Sequence, residues 1–270
     1  MNDQLSGKLA IITGGMNGIG RACTTTLYHA GARVVIADLD ISQADAIINE
    51  ISPEAHSRII AIEADVSQSN ECQQLIHKAA EAFEKLDILI NCAALFLQRP
   101  VLEMDPGEWQ RIFEVNVHGV FYLSQAFAHQ IIRQLTGASS NPAVHSQEPA
   151  GVIVNISSLA ATHMMPGRTA YSASKAALNA LTQALAFEWA SDNIRVNAVA
   201  PSHVNTARIR QVAAQGHLDL EPIAARIPLG RLAEPEEIAD AVLFLSGPSS
   251  RFVTGQILYV DGGYSVNGSW

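Results

Sequence analysis

Seven short apolar runs, most of them rich in β-branched residues, recur along this chain, and the stretches between them carry apolar residues at helical spacing. The runs fall near 8–13, 33–38, 58–63, 86–91, 151–156, 194–199 and 256–260. Arg33-Val-Val-Ile-Ala-Asp38 and Gly151-Val-Ile-Val-Asn-Ile156 are near-continuous rather than alternating. A strand that is apolar on both sides belongs in a parallel sheet covered on both faces. Helices are expected near 18–30, 42–51, 68–84, 105–136, 170–190 and 235–246. The fourth should start at Asp105 as N-cap, with Pro106 at N1 and Glu108 at N3. This alternation predicts an α/β fold: a Rossmann-like doubly wound parallel sheet of about seven strands, helices on both faces, in a single domain over 1–270.

Two stretches break the rhythm. Residues 137–150 have the composition of a loop, longer than the usual connection, and read as a surface insertion. Residues 202–230 carry Pro222, Pro228 and several charges, and read as irregular. Composition narrows the function classes. The formal net charge of −9 disfavours nucleic acid as a partner, because such a partner wants a basic face. Cys23, Cys72 and Cys92 are too few and too scattered for a disulfide framework or a zinc site. No metal site is expected, since the histidines form no His-x-x-x-His pair. No apolar stretch reaches the roughly 18–20 residues of a membrane span. Without a signal peptide at the start, the three thiols read as those of a reduced, cytoplasmic protein.

The chemistry begins at the first strand, which runs into Gly14-Gly-Met-Asn-Gly18-Ile-Gly20 and then a helical run from Arg21 to Ala30. Strand, glycine turn and helix start in that order make a dinucleotide site. Glycines let the backbone approach a pyrophosphate, and the helix N-terminus offers it free N–H groups. The second strand ends at Asp38, eighteen residues beyond Gly20. An acidic side chain there accepts hydrogen bonds from both adenosine ribose hydroxyls and repels a 2′-phosphate. Met16, Asn17 and Leu39 stand where a basic residue would favour that phosphate, and Asp40 adds negative charge. NAD(H) is therefore expected over NADP(H). Further on comes Tyr171-Ser-Ala-Ser-Lys175, with Ser158 thirteen residues upstream. A phenol is a poor proton donor or acceptor near neutral pH, its reference pKa being about 10. The i, i+4 spacing puts an ammonium on the same helix face, where it favours the phenolate. With a serine hydroxyl to hold a substrate oxygen, the trio suits proton transfer to that oxygen while hydride arrives at, or leaves, the attached carbon.

From about residue 6 to about residue 265 the chain resembles the short-chain dehydrogenase/reductases. Thr13-Gly14-x-x-x-Gly18-x-Gly20 matches their cofactor turn, which includes Asn17 and Ile19, and Asp65-Val66 their adenine-contacting pair. Asn91-Cys-Ala-Ala94 stands where the family usually has Asn-Asn-Ala-Gly, so Cys92 and Ala94 are departures expected to tune the pocket. Asn116-Val-His-Gly119, Ile156-Ser-Ser158 and Tyr171-x-x-x-Lys175 match the active-site segments. Pro201-Ser-His-Val204-Asn-Thr206 resembles Pro-Gly-x-Val-x-Thr with Ser202 in place of glycine, and Asp261-Gly-Gly263 matches the C-terminal signature.

The resemblance implies a catalytic set of Asn116, Ser158, Tyr171 and Lys175. Tyr171 would be the general acid or base. Ser158, chosen over Ser157 by its spacing to Tyr171, would bind the substrate oxygen. Lys175 would lower the Tyr171 pKa and hold the nicotinamide ribose. Asn116 would anchor a water in the proton relay. Gly14, Asn17, Gly18, Ile19, Gly20, Asp38, Asp65, Val66, Asn91, Val204 and Thr206 would complete the cofactor site, with Val204 meeting the carboxamide through its backbone. Asn91 is expected to act mainly on the sheet, and Ser67 to cap the helix after Asp65. Residues 202–230 would cover the substrate. The implied activity is hydride transfer between NAD(H) and a secondary alcohol or ketone. His163, Arg168 and His203, near the pocket, favour a hydroxyl-rich polyol or sugar. The alternatives are a 3-oxoacyl-thioester (acyl carrier protein) reductase and an NAD-binding sensor or scaffold. The helices near 105–136 and 170–190, apolar beyond one stripe, imply a homotetramer, with Gln256-Ile-Leu-Tyr-Val260 and the Trp270 tail as further contacts.

Overall fold

A computed structural model describes residues 3–137 and 148–268 of the chain. The core of the expected insertion, 138–147, and Trp270 lie outside the described residues. Seven strands form one parallel sheet: β1 (Leu9–Thr13), β2 (Arg33–Asp38), β3 (Ile59–Glu63), β4 (Ile88–Asn91), β5 (Gly151–Ile156), β6 (Ile194–Pro201) and β7 (Ile257–Val260). Their order is β3-β2-β1-β4-β5-β6-β7. The chain leaves β1 towards β3, returns to β4 on the other side, and continues outward to β7. The near-continuous apolar runs have the predicted reason: alternate residues of β1 feed two cores. Ala10 and Ile12 join one layer, Leu9 and Ile11 the other.

Helices α1 (Gly18–His29), α2 (Ala44–Ile51) and α9 (Pro235–Ser246) cover the first face, through Leu27, Ile47 and Val242. The second face lies under α3 (Ser69–Phe83), α5 (Val120–Gly137) and α6 (Thr169–Glu188), through Leu75, Phe127 and Leu185. Asp105 caps α4 (Pro106–Phe113) as expected: its carboxylate accepts from Gly107 N at 2.7 Å, and Glu108 accepts from Asp105 N at 3.1 Å.

Three local expectations are revised. The helix expected over 105–136 is α4 and α5 joined by a π turn at Glu114–Gly119. Its cause is tertiary. The Asn116 side chain is anchored to Leu95 and Ser174, and Gly119 passes so close to Val66 that a Cβ would lie 2.7 Å from the Val66 carbonyl oxygen. Ser67 does not cap α3; its N–H goes to Asp65 Oδ1 at 2.9 Å, and Gln68 takes the N-cap position. The stretch 202–230 contains two short helices, α7 (Ala207–Ala214) and α8 (Glu221–Ala225), the first capped by the Thr206 hydroxyl.

The apolar excess of α5 and α6 divides. Phe127, Ile131, Leu178 and Leu185 are buried within the chain, as is Ile112 of α4, whereas Phe121 and Phe187 are exposed. Phe113, Val117, Ile132, Leu181 and Trp189 are intermediate.

Candidate active site

The cleft opens where the sheet reverses, at the C-terminal ends of β1 and β4, the place where open parallel sheets bind ligands. Its volume is about 910 Å³. On one side is the glycine turn. Gly14 and Gly18 have φ of 65° and 51°, the left-handed region that favours glycine. A Cβ on Gly20 would lie 2.1 Å from the Gly14 carbonyl oxygen. The N-cap of α1, Asn17, makes no side-chain capping bond, so the first-turn N–H groups are left for a ligand. These features fit the pyrophosphate of a dinucleotide.

Asp38 closes β2 with its carboxylate oriented by two backbone donors, Met16 N at 3.2 Å and Leu39 N at 2.9 Å. Asp65 and Val66 line the next part of the wall. Ser158, Tyr171 and Lys175 line the cleft at β5 and α6. From β2 across β1 and β4 to β5 is three strand spacings, about 14 Å, so a ligand laid over the strand ends meets both groups. Val204 and Thr206 line the wall between α1 and the segment after β6.

Gly14, Asn17, Gly18 and Ile19 also line the cleft, while Gly20, Asn91 and Asn116 stand behind it. Asn91 donates to Asn155 Oδ1 at 2.9 Å and to Ser124 Oγ at 3.3 Å, a sheet-bracing role as read from the motif. Asn116 accepts from Leu95 N at 2.8 Å and donates to Leu95 O and Ser174 Oγ at 2.9 and 3.0 Å. Both of its amide protons are thereby spent.

The two serines separate by their partners. Ser157 Oγ donates to Asn179 Oδ1 at 2.5 Å, whereas Ser158 Oγ accepts from Ala160 N at 3.1 Å and turns its hydroxyl to the Tyr171 phenol. Lys175 is buried and donates to the Ile156 carbonyl oxygen at 2.7 Å; burial pulls its pKa down to about 8. Its ammonium lies 5.7 Å from the Tyr171 ring centroid. The expected depression of the tyrosine by this lysine is not the balance found. Burial raises the Tyr171 phenol, and the groups opposing it are the Ser158 hydroxyl and then the Arg168 cation. Cys92 borders the same floor, its thiol pushed up to about 12 by burial despite Lys175.

Several lining groups carried no motif, among them Leu95, Arg111 and Arg208. Phe96, which meets the Tyr171 ring edge-on at 5.1 Å, also went unsignalled. His203 has a buried Nδ1 with no protein partner, an omission that costs about 1–3 kcal/mol unless a ligand supplies one.

A family model described as enoyl-(acyl carrier protein) reductase matches residues 14–265. A tropinone reductase homolog of Arabidopsis thaliana is 38% identical over 266 residues, covering 98% of this chain and 94% of that protein. Galactitol 2-dehydrogenase (L-tagatose-forming) of Cereibacter sphaeroides is 36% identical over 263 residues, 97% of each chain. The crystal structure of gox2181 superposes with a TM-score of 0.87 at 32% identity over 98% of both chains. The chain belongs to the short-chain dehydrogenase/reductase family. Among the described residues no helix is long and apolar enough to cross a membrane.

Gly20→Ala tests the cradle. Overpacking costs about 1–3 kcal/mol, or roughly 5- to 150-fold in affinity. Fluorescence titration should show NADH binding weakened by that factor, with an unchanged circular-dichroism spectrum.

Proposed function

We propose that this protein transfers a hydride between NAD(H) and a secondary alcohol or ketone, its substrate being a polyol or sugar-type compound. The observation that carries the reading is the meeting of Ser158, Tyr171 and Lys175 in one cleft with Asp38 and the glycine turn. The nicotinamide supplies the hydride chemistry when bound; the side chains orient the reactants and move the proton.

In this reading the Ser158 hydroxyl, beside the Tyr171 phenol, holds the substrate oxygen. The Tyr171 phenol gives a proton to a carbonyl oxygen or takes one from an alcohol. Lys175, held by Ile156 one turn along α6 from Tyr171, binds the nicotinamide ribose in this reading. The Asn116 amide protons are committed to Leu95 and Ser174, so a relay water belongs on the carbonyl side of the π turn. Asp38 holds the adenosine ribose hydroxyls, Asp65 and Val66 the adenine, and Val204 with Thr206 the carboxamide. Residues 202–230, with α7 and α8, cover the substrate.

The polyol assignment draws on the galactitol 2-dehydrogenase relative and on the polar side chains near Tyr171. A 3-oxoacyl-thioester reductase is the less favoured alternative: Asp38 opposes NADP(H), and the net charge of −9 disfavours an acidic carrier protein. A sensor or scaffold has no need of the complete Asn116, Ser158, Tyr171 and Lys175 set. Three free cysteines suit a reducing, cytoplasmic setting. Exposed Phe121 on α5, Phe187 on α6 and Phe252 beside the edge strand β7 suit a homotetramer with two kinds of two-fold interface.

Tyr171→Phe keeps the ring and removes the proton-transferring oxygen. Turnover with NAD should fall by about 10²–10⁴-fold, while NADH titration shows unchanged affinity. Near-normal turnover in a folded variant would refute the role. The ratio of kcat/KM for NAD over NADP should exceed one and should shrink in Asp38→Ala, because the ribose bonds and the repulsion of a 2′-phosphate go together. Equal use of both cofactors by the unaltered protein would contradict the assignment. Light scattering at micromolar concentration should give the mass of four chains; a monomer would exclude the assembly.

A further inference from the structure

Two cations beside the proposed substrate site have no counter-charge. The Arg168 guanidinium lies over the Phe96 ring at 5.3 Å, and that ring meets Tyr171 edge-on at 5.1 Å. Arg226 lies over the Tyr264 ring at 5.3 Å. The same ring is flanked by His203 at 6.0 Å and His163 at 6.4 Å. Arg168 is thus tied to the tyrosine through Phe96, and Arg226 to His203 through Tyr264, and both arginines act electrostatically on His203.

Among the described residues no carboxylate pairs with Arg168 or Arg226, as is true also of Arg33, Arg58, Arg111 and Arg208. The chain has 26 acidic and 17 basic residues, so acids are not scarce. His203 adds a buried Nδ1 with no protein partner. Burial and then the two arginines hold its pKa down to about 4. It is therefore neutral at pH 7 and keeps one N–H to donate.

We propose that the substrate carries an anionic group, a carboxylate or a phosphate, bound by Arg168 and Arg226 with His203 between them. The compound acted on at Tyr171 is then a polyhydroxy acid or a sugar phosphate. The inference narrows the polyol reading and rests on it. A planar guanidinium fork matches the oxygens of either group and holds them by charge-assisted bonds. Arg168 is half-buried and Arg226 exposed; an anion gains charge-assisted bonds from both, a neutral polyol only ordinary ones, and an amine would be repelled. The cations would also draw an anion into the cleft of a protein that is otherwise negative.

The test uses the full-length enzyme saturated with NADH and follows nicotinamide fluorescence during titration with gluconate, glucitol 6-phosphate and glucitol. At least one anion should perturb the signal saturably, with an affinity about tenfold or more above that of glucitol, the ratio expected from one charge-assisted hydrogen bond. Which anion binds tells carboxylate from phosphate. Arg168→Gln and Arg226→Gln should each weaken that anion by about tenfold, and Arg168→Lys should restore part of the loss. NADH affinity, measured first, separates the two layers. Failure to bind NADH would sink the dehydrogenase reading itself. With NADH bound, equal affinity for glucitol and both anions, no response to any anion, or responses unchanged in both glutamine variants would overturn the anion site.

Discussion

The hydroxyl of Thr13 holds together the two strands between which the cleft opens. It accepts from Cys92 N and Ala93 N, both at 3.1 Å, and donates to the Ile90 carbonyl at 3.4 Å. A reversing parallel sheet must leave some backbone N–H groups unpaired at its crossing point, and buried ones need partners. Thr13 supplies them from the last position of β1, just before the glycine turn. Next to it, Asn91 bonds to Asn155, and Asn155 Nδ2 donates to Thr182 Oγ1 at 2.9 Å, tying β4 and β5 to α6. The glycine turn and the helix carrying Tyr171 and Lys175 are thus referred to one buried polar network, not to surface loops.

That rigidity bears on the proposed chemistry. Tyr171 is half-buried at the cleft, and the desolvation raises its phenol, which hinders ionisation. Lys175 is desolvated by the same wall and directs its proton to Ile156. The positive influence that reaches the phenol comes from Arg168, the residue just before α6. The group proposed to read the charge of the substrate is therefore also the one that tunes the proposed acid. The two properties share a residue because both depend on the short reach from the start of α6 to the Phe96 and Tyr171 rings.

Much of this was legible in the chain. Strand positions agreed to within a residue or two because runs such as Arg33–Asp38 are apolar on both sides, and only a covered parallel sheet accommodates them. The glycine turn was readable because its requirements are local: left-handed backbone at Gly14 and Gly18, and no Cβ at Gly20. The Tyr171 and Lys175 pairing was readable because helical spacing alone brings them together. The π turn was not. Its apolar spacing resembles an uninterrupted helix, and it is imposed by a bond from Asn116 to Ser174, fifty-eight positions away.

The sequence by itself determined the layer architecture, the glycine turn and the residues of the proposed trio, because each is carried by patterns within short segments. Only the tertiary structure decided how the trio is electrically balanced, that Ser157 is occupied by Asn179 while Ser158 faces Tyr171, and that Arg168 and Arg226 both act on His203. Burial and long-range charge depend on which distant segments are packed together, and no local spacing encodes that.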